Sequence, residues 1–305
     1  MPLPVHFPIS GVDCSLLIPP VVAFVISALT ASAGVSGAFL LLPFQVSVLG
    51  FASPAVSPTN LIFNIVATPG GVYRYLREGR MAWPLAWAIL LGTLPGVFVG
   101  AVIRIRFLPD ARSFKAFAGC VLLYLGVRLL HQAARPASEA WRQSLARGAP
   151  RAVVTMKCVS IRRVEYEFWK ESFSFNPKTL LLLGLVVGLI GGIYGIGGGA
   201  LIAPFLVVVV GLPLYTVAGA CLLATFVTSI AGVAFFELLG FTSLGAGAAV
   251  RPDWALGALF GIGGLFGTYL GARIQKFLPE RWIRLVLGVL VTGLAFGYIG
   301  QFLFR

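Results

Sequence analysis

The chain has 305 residues, of which 58% are hydrophobic and 11% charged, with a mean hydropathy of +0.95. Soluble domains carry roughly 25% charged and at most about 50% apolar residues, so a soluble core could not absorb this much apolar surface and a bilayer must act as solvent for it. The net charge of +13 does not point to nucleic acid, because the Lys and Arg residues fall between apolar segments and form no basic stripe interleaved with aromatics.

Taken in chain order, apolar runs bounded by charge, Gly or Pro predict helices over 15–33, 36–50, 54–76, 82–105 and 110–132, and then over 179–195, 198–211, 214–238, 253–276 and 281–303. The first 14 residues lack Lys and Arg, so the basic start of a secretory signal is missing and the first apolar segment is expected to stay in the mature protein. The second helix of each set is too short for a full crossing, so the first pair of each set is expected to form a re-entrant or kinked hairpin. Between the sets, residues 133–178 hold nine Lys/Arg against four Asp/Glu and lie outside the membrane; within them Ala152 to Phe175 predicts one or two strands. The 37 glycines and 19 prolines sit mostly in apolar segments, where membrane helices use them for close packing and for breaks.

The two sets repeat one another. Gly34–Phe44 aligns without gaps on Gly195–Phe205, an offset of 161; at an offset of 171, Trp83, Gly92, Gly96 and Gly100 meet Trp254, Gly263, Gly267 and Gly271. An N-terminus outside places seventeen of the 23 Lys and Arg residues inside, the linker included. Arg104, Arg106, Arg112 and Lys115, sharing one outside loop, violate that arrangement. An odd number of crossings per half inverts the second half relative to the first. The expected fold is therefore an all-α polytopic membrane protein of two inverted repeats, each of about five helical segments. Residues 1–132 form the first repeat, 133–178 a cytoplasmic linker and 179–305 the second, in the inner (plasma) membrane.

The motif Gly195-Ile-Gly-Gly-Gly-Ala-Leu-Ile-Ala-Pro-Phe205, with Gly211-Leu-Pro after it and then a helix of small and hydroxyl residues, resembles the TauE/SafE family of sulfite or sulfonate exporters. The likeness covers both halves. It implies a permease for a small sulfur-containing anion or organosulfonate. The first copy departs from the family pattern, with Ser36 and Ala38 where glycine is usual.

The residues themselves give little to catalysis: there is no HExxH, no P-loop, no GxSxG with a matching acid and base, and no carboxylate pair within one span. The four cysteines form no CxxC pair and His6 and His131 lie far apart, so no metal site, disulfide framework or cofactor is expected. The chain is not expected to be an enzyme. An anion, in contrast, can be held by the unpaired N–H groups and positive dipole end of a helix. Ser36, Gly37, Gly197, Gly198 and Gly199 sit where the second helix of each half begins, so two such ends are expected to converge on one substrate; the alternative is that the glycines only permit tight packing. Asn60, Asn64 and Thr68 share one face of the third helix, and the repeat sets Cys221, Thr225 and Ser229 opposite them at the same spacing. Of these, Asn60, Asn64, Thr68, Thr225 and Ser229 are expected to line the pathway, with interhelical bonding as the alternative. Ser57, Thr59, Thr228, Gln45 and Tyr194 are secondary candidates. The expected partners are a small anionic substrate and the lipid bilayer, with no nucleic acid; a homo-oligomer is compatible with this reading. A channel-like anion facilitator and a lipid-modifying enzyme are the competing functions.

Overall fold

A computed structural model describes residues 5–32, 36–51, 53–79, 81–134, 154–160, 163–168, 171–208, 210–212, 214–242, 249–274 and 280–303. Among them the apolar runs become helices close to their expected limits: α1 (Ile18–Ser32), α2 (Ala38–Ser47), α3 (Val56–Ala67), α4 (Pro69–Arg77), α5 (Trp83–Arg106) and α6 (Ala111–Ala134), then α7 (Pro177–Tyr194), α8 (Gly198–Val208), α9 (Leu214–Gly240), α10 (Trp254–Ile274) and α11 (Glu280–Leu303). Six of these, α5, α6, α7, α9, α10 and α11, are long and apolar enough to cross a membrane, so the chain is an all-α polytopic membrane protein. Large apolar side chains such as Leu91, Val99, Leu182, Val186, Val286 and Phe296 are exposed on these helices, where lipid replaces water.

One expected helix is two. The run 54–76 breaks at Thr68, because Pro69 has no N–H to give and Thr68 turns its hydroxyl back to the Asn64 carbonyl at 2.7 Å. The linker forms three strands rather than one or two, β3 (Thr155–Val159), β4 (Val164–Phe168) and β5 (Glu171–Phe175), in an antiparallel sheet with β4 central. Val164, Tyr166 and Phe168 alternate inward, and the Tyr166 hydroxyl meets Thr216 on α9 at 2.9 Å, which docks the sheet on the second half. A two-stranded hairpin, Val5–Phe7 with Val12–Cys14, was not expected; its turn gives the Ser10 N–H and hydroxyl to the buried Asp253 carboxylate ahead of α10.

The glycines aligned by the repeat have one structural purpose. Gly92, Gly96 and Gly100 of α5 lie against Gly184, Gly188 and Gly192 of α7 so closely that a Cβ on Gly92 would sit 2.7 Å from the Leu181 carbonyl oxygen. Gly263, Gly267 and Gly271 of α10 lie in the same way against Pro20, Phe24 and Ala28 of α1. This is small-residue packing at four-residue spacing. In both seams the residue numbers rise together, so the paired helices are parallel. α5, the next-to-last helix of the first set, thus grips the first helix of the second set, and α10, the next-to-last of the second, grips the first helix of the first. The last helices, α6 and α11, pair antiparallel, with Gly119 against Ala295–Ile299 and Gly126 against Thr292.

The four cations that strain the charge rule divide on folding. Arg104 is fully buried, and Arg112 donates to the Phe302 carbonyl near the end of α11 at 2.9 Å, favourable at a helix C-terminus. Lys115 lies over the Tyr298 ring at 5.9 Å, and Arg106 is exposed.

Candidate functional site: two broken hairpins clamped by one helix

α7 stops at Tyr194 because Gly195 and Gly197 take φ values of +81° and +82°, a left-handed conformation that only glycine adopts freely. The chain then reverses into α8 at Gly198. The reversal lies deep: a Cβ on Gly198 would come 2.6 Å from the Thr93 hydroxyl, and Thr93 is near the middle of α5, a helix of roughly 36 Å at ~1.5 Å per residue. The start of α8 therefore lies near the centre of the span that α5 defines.

Helix α3 clamps this turn from one side. Ser57 donates to the Ile193 carbonyl at 2.8 Å, Asn60 to Gly195 at 3.0 Å and Asn64 to Ile196 at 2.8 Å. The same Asn60 nitrogen also donates to the Ala38 carbonyl at 3.0 Å, at the start of α2. Two bonds of 3.0 Å from one atom put the Ala38 and Gly195 oxygens at most 6.0 Å apart, so a single side chain joins the start of α2 to the α7–α8 turn. Gln45 on α2 donates to Asn60 Oδ1 at 3.2 Å, and the Tyr194 hydroxyl donates to the Phe39 carbonyl at 2.8 Å.

Helix α9 closes the other side. The Gly198 N–H donates to Thr228 Oγ1 at 3.1 Å, which satisfies one of the N–H groups a helix start leaves open. Thr225 bonds back to the Cys221 carbonyl at 2.9 Å. Cβ atoms on Gly197 and Gly199 would meet Ser229 Oγ at 3.0 Å and Thr225 Oγ1 at 2.7 Å respectively. Asn60, Asn64, Gln45, Ser57, Thr228 and Ser229 are all fully buried. Among the described residues the only charged side chains buried anywhere are Arg104 and Asp253, so the clamp itself is uncharged.

The expected site residues are thus mostly gathered in one place, in roles finer than a polar stripe suggests. The amide N–H groups of Asn60 and Asn64 are engaged with backbone carbonyls, which makes these residues holders of the turn. Gly198 and Gly199 pack against Thr93 and Thr225 while also opening α8. Thr68 bonds its own helix. On the first half, Ser36 Oγ accepts the Ala38 N–H at 3.3 Å, and Gly37 abuts Ser27, whose hydroxyl would be 2.9 Å from a Cβ there; Gly34, with which the first copy of the repeat begins, lies outside the described residues. Three buried polar atoms here have no hydrogen-bond partner: Ser229 Oγ, Asn64 Oδ1 and Gln45 Oε1. Ser229 and Asn64 flank the Ile196–Gly197 peptide from opposite helices. Thr93 escaped the sequence reading, although it is the only hydroxyl in α5 and that was the available signal.

Comparison with known proteins points to membrane transporters. A model of the family described as sulfite exporter TauE/SafE matches residues 20–298. The chain is 23% identical over 286 residues to the probable membrane transporter protein y4hK of Sinorhizobium fredii (strain NBRC 101917 / NGR234), covering 89% of this chain and 94% of that one. It is 22% identical over 157 residues to the probable membrane transporter protein YunE of Bacillus subtilis (strain 168), covering 51% of each. No solved structure matches. With six apolar spans among the described residues and a family match over nearly its whole length, the chain is a multi-pass membrane transporter and belongs to the sulfite exporter TauE/SafE family.

Proposed function

We propose that this transporter moves a small sulfur-containing anion, sulfite or an organosulfonate, by alternating access at one site between two inverted repeats. The observation that carries the reading is the meeting of the start of α2 and the α7–α8 turn at Asn60, beside the middle of α5. Helix starts carry about half a positive charge each, and two of them brought close by the uncharged Asn60 attract an anion without a fixed cation that would hold it too tightly to release. Ser229 Oγ, buried and unpartnered at the turn, is the hydroxyl left to donate to an oxoanion, beside the backbone N–H groups that open α8. Asn60, Asn64 and Thr228 hold the turns that present them.

Helix directions support the inversion. α1 runs parallel to α10, α5 parallel to α7, and α6 antiparallel to α11. The short connections after α5 and α10 oblige the next span to reverse. Followed through, these relations set α1 against α7, α5 against α10 and α6 against α11 in opposite senses, with residues 1–132 and 179–305 as the repeats. The charge distribution favours an inner-membrane protein with its N-terminus outside and residues 133–178 cytoplasmic. Two of the four offending cations, Arg104 and Arg112, are tied to backbone carbonyls and say little about sidedness.

Thermal unfolding of the purified protein in sulfite, sulfate, thiosulfate, taurine and carboxylates tests the ligand class, since a ligand of the folded state raises its stability. A midpoint raised by a sulfur oxoanion or sulfonate, and lost in Ser229→Ala, is the expected result. A rise with metal cations alone would overturn the reading.

A further inference from the structure

Arg104 is the largest fully buried side chain among the described residues, and no carboxylate there lies within ion-pair distance of it. The nearby Asp110 carboxylate is turned instead to the Ser113 N–H at 2.8 Å. A guanidinium stays charged under all ordinary conditions, and a buried charge without a counter-ion is costly. Its present partners are neutral. Nη1 donates to the Leu108 carbonyl, the Phe114 ring covers one face at 3.9 Å, and Nη2 reaches the Ser53 carbonyl only at 3.4 Å.

What remains unfilled lies on one side. Nε has no partner, and Nε and Nη2 form the edge of the guanidinium that takes oxoanions with two parallel bonds. That edge faces Ser53, whose hydroxyl is itself buried and unpartnered. Phe114 also pairs with Tyr194 at 6.5 Å, the residue that ends α7 at the glycine turn. Arg104 is therefore stacked, through one aromatic ring, on the element that leads into the clamped site.

We propose that Arg104 and Ser53 form a second oxoanion-binding subsite at the α5–α6 end of the pathway, where the substrate anion docks on the Nε–Nη2 edge before or after it occupies the turn. The incoming oxygens replace the long bond to the Ser53 carbonyl and gain the Ser53 hydroxyl as a third donor. The subsite takes its ligand class, a sulfonate, sulfite or carboxylate group, from the guanidinium edge; its place on a transport pathway rests on the proposed function above.

The test is a titration of the full-length protein in detergent with sulfite, acetate and inorganic phosphate, each against sodium chloride at equal ionic strength, with the unfolding midpoint as readout. Arg104→Lys keeps the charge but loses the two-bond edge, Ser53→Ala keeps the guanidinium, and Asn64→Ala disturbs only the turn. The subsite predicts that Arg104→Lys weakens oxoanion binding roughly tenfold, the effect of about one charge-assisted hydrogen bond, and Ser53→Ala by a smaller factor in the same direction. Oxoanion titrations of both variants that superimpose on the wild type would overturn it, even if Asn64→Ala still weakens binding and so sustains the turn as a site. Weakening in the Arg104 and Ser53 variants alone, with Asn64→Ala unchanged, would leave the subsite standing and count against the turn. A wild type unaffected by every oxoanion would overturn both. Should Arg104→Lys fail to fold, Ser53→Ala decides.

Discussion

The turn between α7 and α8 and the start of α2 carry aligned sequences, Gly195–Phe205 and Gly34–Phe44, yet they are held by different means. Around the first, Ser57, Asn60, Asn64 and Thr228 all bond the backbone between Ile193 and Gly198. Around the second, among the described residues, the Ser36 hydroxyl and the Asn60 amide bond Ala38. The difference follows from side-chain length. Amides on α3 reach across to the opposite hairpin, whereas Thr225 at the equivalent position on α9 bonds its own helix and Ser229 bonds nothing. The two glycine seams follow one packing plan, while α3 clamps the glycine turn and α9 leaves the Ser229 hydroxyl free.

Asn60→Ala should break the comparison most severely. It strips Ala38, Gly195 and Gln45 of a buried partner at once and should destabilise by roughly 3 kcal/mol, with transport abolished; thermal unfolding in detergent and flux in proteoliposomes measure the two losses. Asn64→Ala frees only the Ile196 carbonyl and should cost about 1–2 kcal/mol, leaving the α2 start intact. Tyr166→Phe removes the sheet's hydrogen bond to Thr216 and should cost about 1 kcal/mol. Burial pushes the Tyr166 phenol from its ordinary 10.0 up to about 12. A raised folded value, caused by desolvation and opposed by the Thr216 bond, means that the stability linked to burying the neutral phenol is fully present below pH 10.0 and is lost as pH rises towards about 12, so stability should be flat across neutral pH and fall only in that alkaline window. Ser229→Ala should move stability least, within about 0.5 kcal/mol, because its hydroxyl has no partner to lose. A clear fall in substrate affinity in the same variant would mark Ser229 as a ligand contact, and unchanged affinity would reduce it to packing.

Much of this molecule is legible in its sequence because a bilayer makes the code simple: apolar length gives the spans, and the alignment of Gly92, Gly96 and Gly100 with Gly263, Gly267 and Gly271 marks two seams of the same kind. The polar residues are harder to read. The spacing of Asn60 and Asn64 identifies a polar face, but whether an amide meets a ligand or a carbonyl 135 or 132 residues away depends on tertiary contacts that no local pattern carries. The break at Thr68 is signalled by Pro69, but the apolar run on both sides hides it. The third linker strand and the N-terminal hairpin are short and depend on pairing partners. Arg104 stands in the sequence only as one of four cations in an outside loop; its burial beneath the loop ahead of α3 is a consequence of folding.

The most direct test of the central claim is counterflow in proteoliposomes: uptake of labelled sulfite, and separately of labelled taurine, into vesicles preloaded with the same unlabelled anion or with none. Alternating access at a site between the repeats predicts that internal unlabelled substrate accelerates uptake several-fold over its absence, and that Asn60→Ala abolishes the acceleration. Uptake indifferent to the internal anion would describe a channel, and no uptake of any sulfur oxoanion or sulfonate would contradict the assigned substrate class.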